Sequence, residues 1–202
     1  KFAGLVENLG EQQLFLSLLV AMTGALILGM GMPTLPAYLI IVLIMGPSIK
    51  LLGLSSLVVH LFVFYYGVAS SLTPPVAIAA YVAAPIAGAN PIITAFMALR
   101  IGIAKFIIPF AFAYYPTILL VENFDFLTLI SIVFRLTLAI YLISSALSAF
   151  DRDKLSPISI ILRLFIAFLS LLTPFEYHVP ATIGGLLILA HSWKLNPFKR
   201  LA

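Results

Sequence analysis

Two short runs of glycine, proline and hydroxyl residues carry what chemistry this chain can do: Gly29-Met-Gly-Met-Pro-Thr34 and Ser70-Ser-Leu-Thr-Pro-Pro75. Each interrupts an apolar run near its middle, where helix breakers cost most. Gly29 and Gly31 permit positive φ and close backbone approach. Pro33, Pro74 and Pro75 lack N–H donors, so carbonyls one turn earlier lose their partners. Thr34, Ser70, Ser71 and Thr73 add neutral hydroxyl oxygens. An unwound helix of this kind presents oxygens that a bound ion can satisfy. The plainer reading is two kinks healed by neighbouring helices. Two such breaks in successive segments favour a binding site, and point to a transporter over a receptor, pore or membrane enzyme.

The elements that must hold these breaks are apolar throughout. Hydrophobic residues make up 63% of the 202 positions and charged residues 9%, with a mean hydropathy of +1.19. So much apolar surface requires the bilayer as solvent, and the expected fold is an all-α, polytopic membrane protein. The net charge of +4 comes from lysines and arginines at segment ends, a topology signal and not a nucleic-acid footprint. Cysteine is absent, which excludes disulfides and thiolate metal sites. His60, His178 and His191 are too scattered for a metal cluster. No HExxH, GxSxG or paired-aspartate pattern supports an enzyme, and no cofactor is implied. Between Glu11 and Glu122 there is no carboxylate at all. Any ion bound there must rest on neutral oxygens.

Leu14 to Ile49 reads as two arms of roughly 15–17 residues, about 23–26 Å each, slightly short of a full span. A re-entrant hairpin over 14–49, with its tip at Gly29–Thr34, fits them better than two crossings. Residues 55–87 read as two half-helices with an unwound centre at Ser70–Pro75. The half-helices after the breaks are expected to begin at Pro36 and Val76. Gly88-Ala-Asn-Pro91 is turn chemistry, followed by a short segment to Arg100 and a span over 101–121. Residues 1–125 thus form one region, and 126–202 a second, with further transmembrane helices and a basic tail. The positive-inside rule puts Arg152, Lys154, Lys194, Lys199 and Arg200 in the cytoplasm and Glu122 and Asp125 outside. Arg100 and Lys105 then fall inside and Lys50 outside. If residues 55–85 return to their own side, Lys50 lies inside instead. With no methionine at Lys1, the chain is expected to be the C-terminal portion of a longer protein.

The two runs, together with His60-Leu-Phe-Val-Phe-Tyr-Tyr-Gly67, Leu72-Thr-Pro-Pro-Val76 and Ile86-Ala-Gly-Ala-Asn-Pro91, resemble the large permease subunit of TRAP transporters, the tripartite ATP-independent periplasmic transporters. The resemblance is nearest to the subfamily whose small and large membrane subunits are fused, and it covers residues 10–125. It implies a sodium-driven importer of organic acids in the bacterial inner membrane, working by an elevator mechanism with an extracytoplasmic substrate-binding protein. Other partners it implies are the remaining permease region and the small-subunit helices. It also implies two inverted repeats, of which this chain holds the second. On this reading the Na⁺ ligands are Thr34, Thr73 and the backbone of Gly29, Gly31 and Ser70. The wider ion- and substrate-binding set adds Pro33, Ser71 and Pro74. Many unfused members carry an aspartate shortly after the Gly-Met pair. Here Pro33-Thr34 stands in its place, so no role of that aspartate carries over.

Helix N-termini after the two breaks would aim partial positive charge at a carboxylate substrate. A proton-coupled carrier would place Asp, Glu or His in the membrane, and residues 12–121 offer only His60. A membrane scaffold would account for the helices after Phe126 but not for the breaks. Arg135, about 14 Å into its span, is read as structural. Arg163 and Lys105 are read as snorkelling from span ends. His60 is read as an interfacial or packing histidine, and Phe62, Phe64, Tyr65 and Tyr66 as helix packing.

Overall fold

The computed structural model describes residues 4–5, 13–121, 124–151 and 153–194. Arg152, Lys199, Arg200 and Glu122, which enter the charge-based orientation, lie outside the described residues. Among the described residues every regular element is helical. The chain divides into two compact units, Lys1–Pro116 and Thr117–Ala202.

The first unit holds α1 (Leu14–Gly29), α2 (Thr34–Lys50), α3 (Ser56–Ala69), α4 (Ile78–Ile86), α5 (Pro91–Ile101) and α6 (Ala104–Tyr114). A 3₁₀ turn, Ser70–Leu72, continues α3. The helices are apolar all round, so outward residues such as Leu43 and Ile86 are as hydrophobic as buried ones. A helix of that kind is built for lipid or a deep core. Hydropathy therefore does not decide which face turns inward. α1 buries Ala21, Gly24, Ala25 and Gly29, and α2 buries Ala37, Ile41, Met45 and Ile49 at intervals of four residues. Small residues on facing stripes let membrane helices approach closely. α3 lies at the centre, against α1, α2 and α6. Its Tyr66 is fully buried and donates its hydroxyl to the Phe106 carbonyl at 2.8 Å, which ties α3 to α6.

The expected span over 101–121 is replaced by a different division. Helix begins ten residues earlier, where Asn90 Oδ1 accepts from the N–H groups of Ile92 and Ile93 and Pro91 occupies the first helical position. It turns at Gly102-Ile103 and ends at Tyr114. The turn follows from packing, since α5 lies on α4 while α6 lies on α3. By length and composition, Pro91–Tyr114 and Phe126–Ser148 can each cross a membrane.

The second unit is a bundle of α7 (Phe126–Ser148), α8 (Pro157–Leu171) and α9 (Phe175–Lys194). Asp125 and Ser156 cap α7 and α8, accepting from the N–H groups of Thr128 and Ser159. Its core is Leu138, Ala139, Leu142 and Ala167. The polar groups are inside as well. Arg163 is 1% exposed, and its guanidinium reaches Asp151 at 2.8 Å, Ser145 at 2.7 Å and Ser192 at 2.9 Å. Arg163 is therefore not a snorkelling residue. Its tip turns toward the loop after α7, where Asp151 supplies the countercharge. Ile158, Ile161 and Phe165 face outward on the same helix. Charge inside and hydrocarbon outside suits a bundle surrounded by lipid.

Candidate functional site at two helix breaks

Helix α1 stops at Gly29 because Pro33 cannot continue it and Gly31 sits at φ +80°, a left-handed conformation that costs other residues. The four-residue link, Met30 to Pro33, is tightened by N–H bonds from Met30 to Ile27 and from Met32 to Gly29. α2 then opens at Thr34, two residues before the expected Pro36. The second break lies between the 3₁₀ turn and α4, over residues 73–77. α4 opens at Ile78, two residues after the expected Val76, since Ala77 before it stands at φ +29°, outside the helical region.

The two breaks touch. Ser70 is fully buried, and its Oγ lies 3.0 Å from the Gly29 carbonyl and 2.7 Å from the Gly67 carbonyl. A Cβ built on Gly29 would stand 2.7 Å from Ser70 Oγ, so only glycine allows this approach. One built on Gly31 would stand 3.9 Å from Val76 Cγ1 in the second break. The Gly29 carbonyl, where α1 ends, thus accepts from Met32 N–H and from a hydroxyl 41 residues away.

The hydroxyls of the second break donate within their own helix. Ser71 donates to Val68 at 2.8 Å and Thr73 to Ala69 at 2.8 Å. A hydroxyl that has donated its hydrogen keeps its lone pairs, and these are what a cation requires. The Ser70 carbonyl accepts from Thr73 N–H, the Thr73 carbonyl from Ala77 N–H, and the Pro75 carbonyl from the Tyr81 hydroxyl at 2.7 Å. The break is therefore a structured turn with Tyr81 as its brace.

Among the predicted site residues, the structure joins Gly29 to Ser70 and puts Gly31 beside the second break. Thr34 stays apart on the exposed start of α2, with no hydrogen bond from its hydroxyl among the described residues. Pro33 is also exposed, while Ser71, Thr73 and Pro74 are half-buried. Among the described residues no three His, Cys, Asp or Glu side chains come together.

The braces were illegible at the level of sequence. Tyr66 reads as a packing aromatic and Tyr81 carries no sequence signal, yet each places a hydroxyl on a carbonyl. His60 accepts or donates to Tyr38 Oη at 2.7 Å through Nδ1, a pairing across 22 residues. In the second unit Arg135 is 8% exposed, and its Nη1 lies 3.4 Å from the Leu172 carbonyl at the end of α8. A cation placed there complements the negative end of the helix dipole.

Residues 1–126 match the family described as Tripartite ATP-independent periplasmic transporter, DctM component. No curated protein and no solved structure matches the chain. DctM components are membrane components of transporters that work with a periplasmic binding protein and a small membrane subunit. The match contains both breaks and every element that packs around them, and it stops at the start of α7. The chain belongs to the DctM-component family of tripartite ATP-independent periplasmic transporters.

Proposed function

We propose that this chain forms part of a sodium-coupled secondary transporter that imports organic acids across the bacterial inner membrane as a multi-pass permease. It receives its carboxylate substrate from a periplasmic binding protein and moves it by an elevator mechanism. The observation that carries the reading is the contact between the two breaks, Ser70 Oγ on the Gly29 carbonyl, in a stretch without a carboxylate. Broken helices meeting at one point are where secondary transporters hold substrate and ion. Na⁺ would take oxygens from Thr73 and from the backbone around Gly29, Gly31 and Ser70, with Thr34 closing the shell. The N-termini of α2 and α4 follow the breaks directly and offer partial positive charge to a carboxylate.

The test is uptake of labelled organic acid into proteoliposomes against sodium concentration, with an imposed proton gradient as control. Thr34→Ala and Thr73→Ala should each raise the half-saturating sodium roughly fivefold, the loss of about 1 kcal/mol from one neutral ligand. Expression and assembly should be nearly unchanged, because no buried charge is left behind. Full-rate transport without sodium, or parental sodium dependence in both variants, would overturn the ion assignment.

A further inference from the structure

At the far end of α2 and α3 from the breaks lies a groove of about 250 Å³, lined by Val42, Leu43, Gly46, Lys50, Ser56, Val59 and His60. Lys50 is sixteen residues from Thr34, about 24 Å along the helix, so the groove is separate from the candidate ion site. Its polar groups gather at one end. Lys50 closes α2, Ser56 opens α3, and His60 follows one turn later. The rest of the lining is apolar. Gly46 is buried in the floor beside Val42 and Val59, where a Cβ would already crowd Val42 Cγ2 at 3.3 Å. Leu43 and Ile44 extend the apolar surface outward from the groove.

From this arrangement we infer a binding site for an anionic diacyl phospholipid, its phosphate on Lys50, Ser56 and His60 and one acyl chain along Val42, Gly46 and Val59. The His60 ring is held by Tyr38 at 2.7 Å. When the tyrosine hydroxyl donates to Nδ1, the hydrogen sits on Nε2 and the ring offers a donor. Lys50 adds a full charge, and Ser56 adds a hydroxyl. No carboxylate occurs between residues 12 and 121 to oppose a phosphate. A head of one charge sign above an apolar trough matches an amphiphile and matches neither a free phosphate nor a neutral lipid. Basic residues at the membrane surface attract anionic lipid by just this charge complementarity. The inference does not depend on sodium coupling or on the substrate.

The experiment is native mass spectrometry of the purified protein in non-ionic detergent, titrated with dioleoyl phosphatidylglycerol or dioleoyl phosphatidylcholine. Glycerol 1-phosphate serves as the tail-free competitor. The parental protein should bind phosphatidylglycerol in preference to phosphatidylcholine, and glycerol 1-phosphate should not displace it. Lys50→Gln should weaken binding about fivefold, while Lys50→Arg should retain it. Gly46→Leu should fill the trough and abolish retention. Lys50 is exposed at a helix end, so the Lys50 pair keeps the test decisive even if Gly46→Leu does not fold. Equal binding of the two lipids, an unaltered Lys50→Gln variant, or full competition by glycerol 1-phosphate would overturn the assignment.

Discussion

The Gly29 carbonyl and the Ser70 hydroxyl stand 3.0 Å apart, joining the end of one helix to the unwinding of another. The contact adds a second donor to a carbonyl at the end of α1 that otherwise accepts only the long bond from Met32 N–H. Because Ser70 Oγ also reaches the Gly67 carbonyl at 2.7 Å, the single hydroxyl hydrogen is shared between the end of α1 and the last turn of α3. The approach is so close that the side chain of one residue depends on the absence of a side chain at the other.

Gly29→Ala should therefore destabilise the first unit by about 1–3 kcal/mol, the usual cost of overpacking a well-filled interior. The new methyl would stand 2.7 Å from Ser70 Oγ and 3.0 Å from its Cβ. Ser70→Gly should cost about 1 kcal/mol on its own through the lost hydrogen bond. Combined with Gly29→Ala it should recover part of the loss, because it removes both clashing atoms. A double-mutant cycle on thermal unfolding in detergent measures this. Strict additivity would show that the two breaks are not energetically joined.

Gly31 tests backbone rather than space. Its φ of +80° is disfavoured for L residues, although a Cβ there would meet only Val76 Cγ1 at 3.9 Å. Gly31→Asn should be mild, since asparagine tolerates the left-handed region. Gly31→Ala should cost about 1 kcal/mol, and Gly31→Val more, because a β-branched side chain resists positive φ. Unfolding midpoints in the order Gly, Asn, Ala, Val check it. An asparagine variant as unstable as the valine one would place the constraint in packing instead.

In the second unit, the Arg163–Asp151 pair predicts acid sensitivity. Burial by itself would raise the Asp151 carboxyl. Hydrogen bonds from Tyr141 and Arg163, the Arg163 charge and a bond from Ser192 outweigh it and hold the carboxyl below its usual range. A carboxyl held low in the folded state contributes stability that is complete above the ordinary unfolded value, about 3.9. That contribution is lost as pH falls through the lower folded value, leaving Arg163 buried without its countercharge. The unfolding midpoint should thus drop as pH is lowered below about 4. Asp151→Asn or Arg163→Met should cost about 3–5 kcal/mol at neutral pH, because each strands one buried charged or polar partner. The asparagine variant should also lose the acid dependence that belongs to this pair. A parental midpoint that stays level to pH 3 would contradict the pairing.

The sequence by itself determined the class of environment and the position of the breaks. An apolar composition without carboxylates from residue 12 to 121 demands lipid, and the clustered breakers at Gly29–Pro33 and Pro74-Pro75 interrupt helices where a single Pro47 or Pro109 does not. The starts at Asn90-Pro91 and Ser156-Pro157 were equally local, since each cap acts on N–H groups within three residues. Such terms depend only on neighbours along the chain. Which faces turn inward was not written there, because a helix apolar on every side has no hydropathy difference to read. Tertiary packing settled it, bringing Ala21, Ala25 and Gly29 to the inner face of α1 and Ile41, Met45 and Ile49 to that of α2. It also set the contacts across 41 residues between Gly29 and Ser70 and across 40 between Tyr66 and Phe106. The same holds for Arg163. Arg163 reads as snorkelling from a span end, and only folding brings it to 2.8 Å from Asp151 of the preceding loop. Their attraction grows large only after water has been removed from around both, and no local pattern of residues reports that removal.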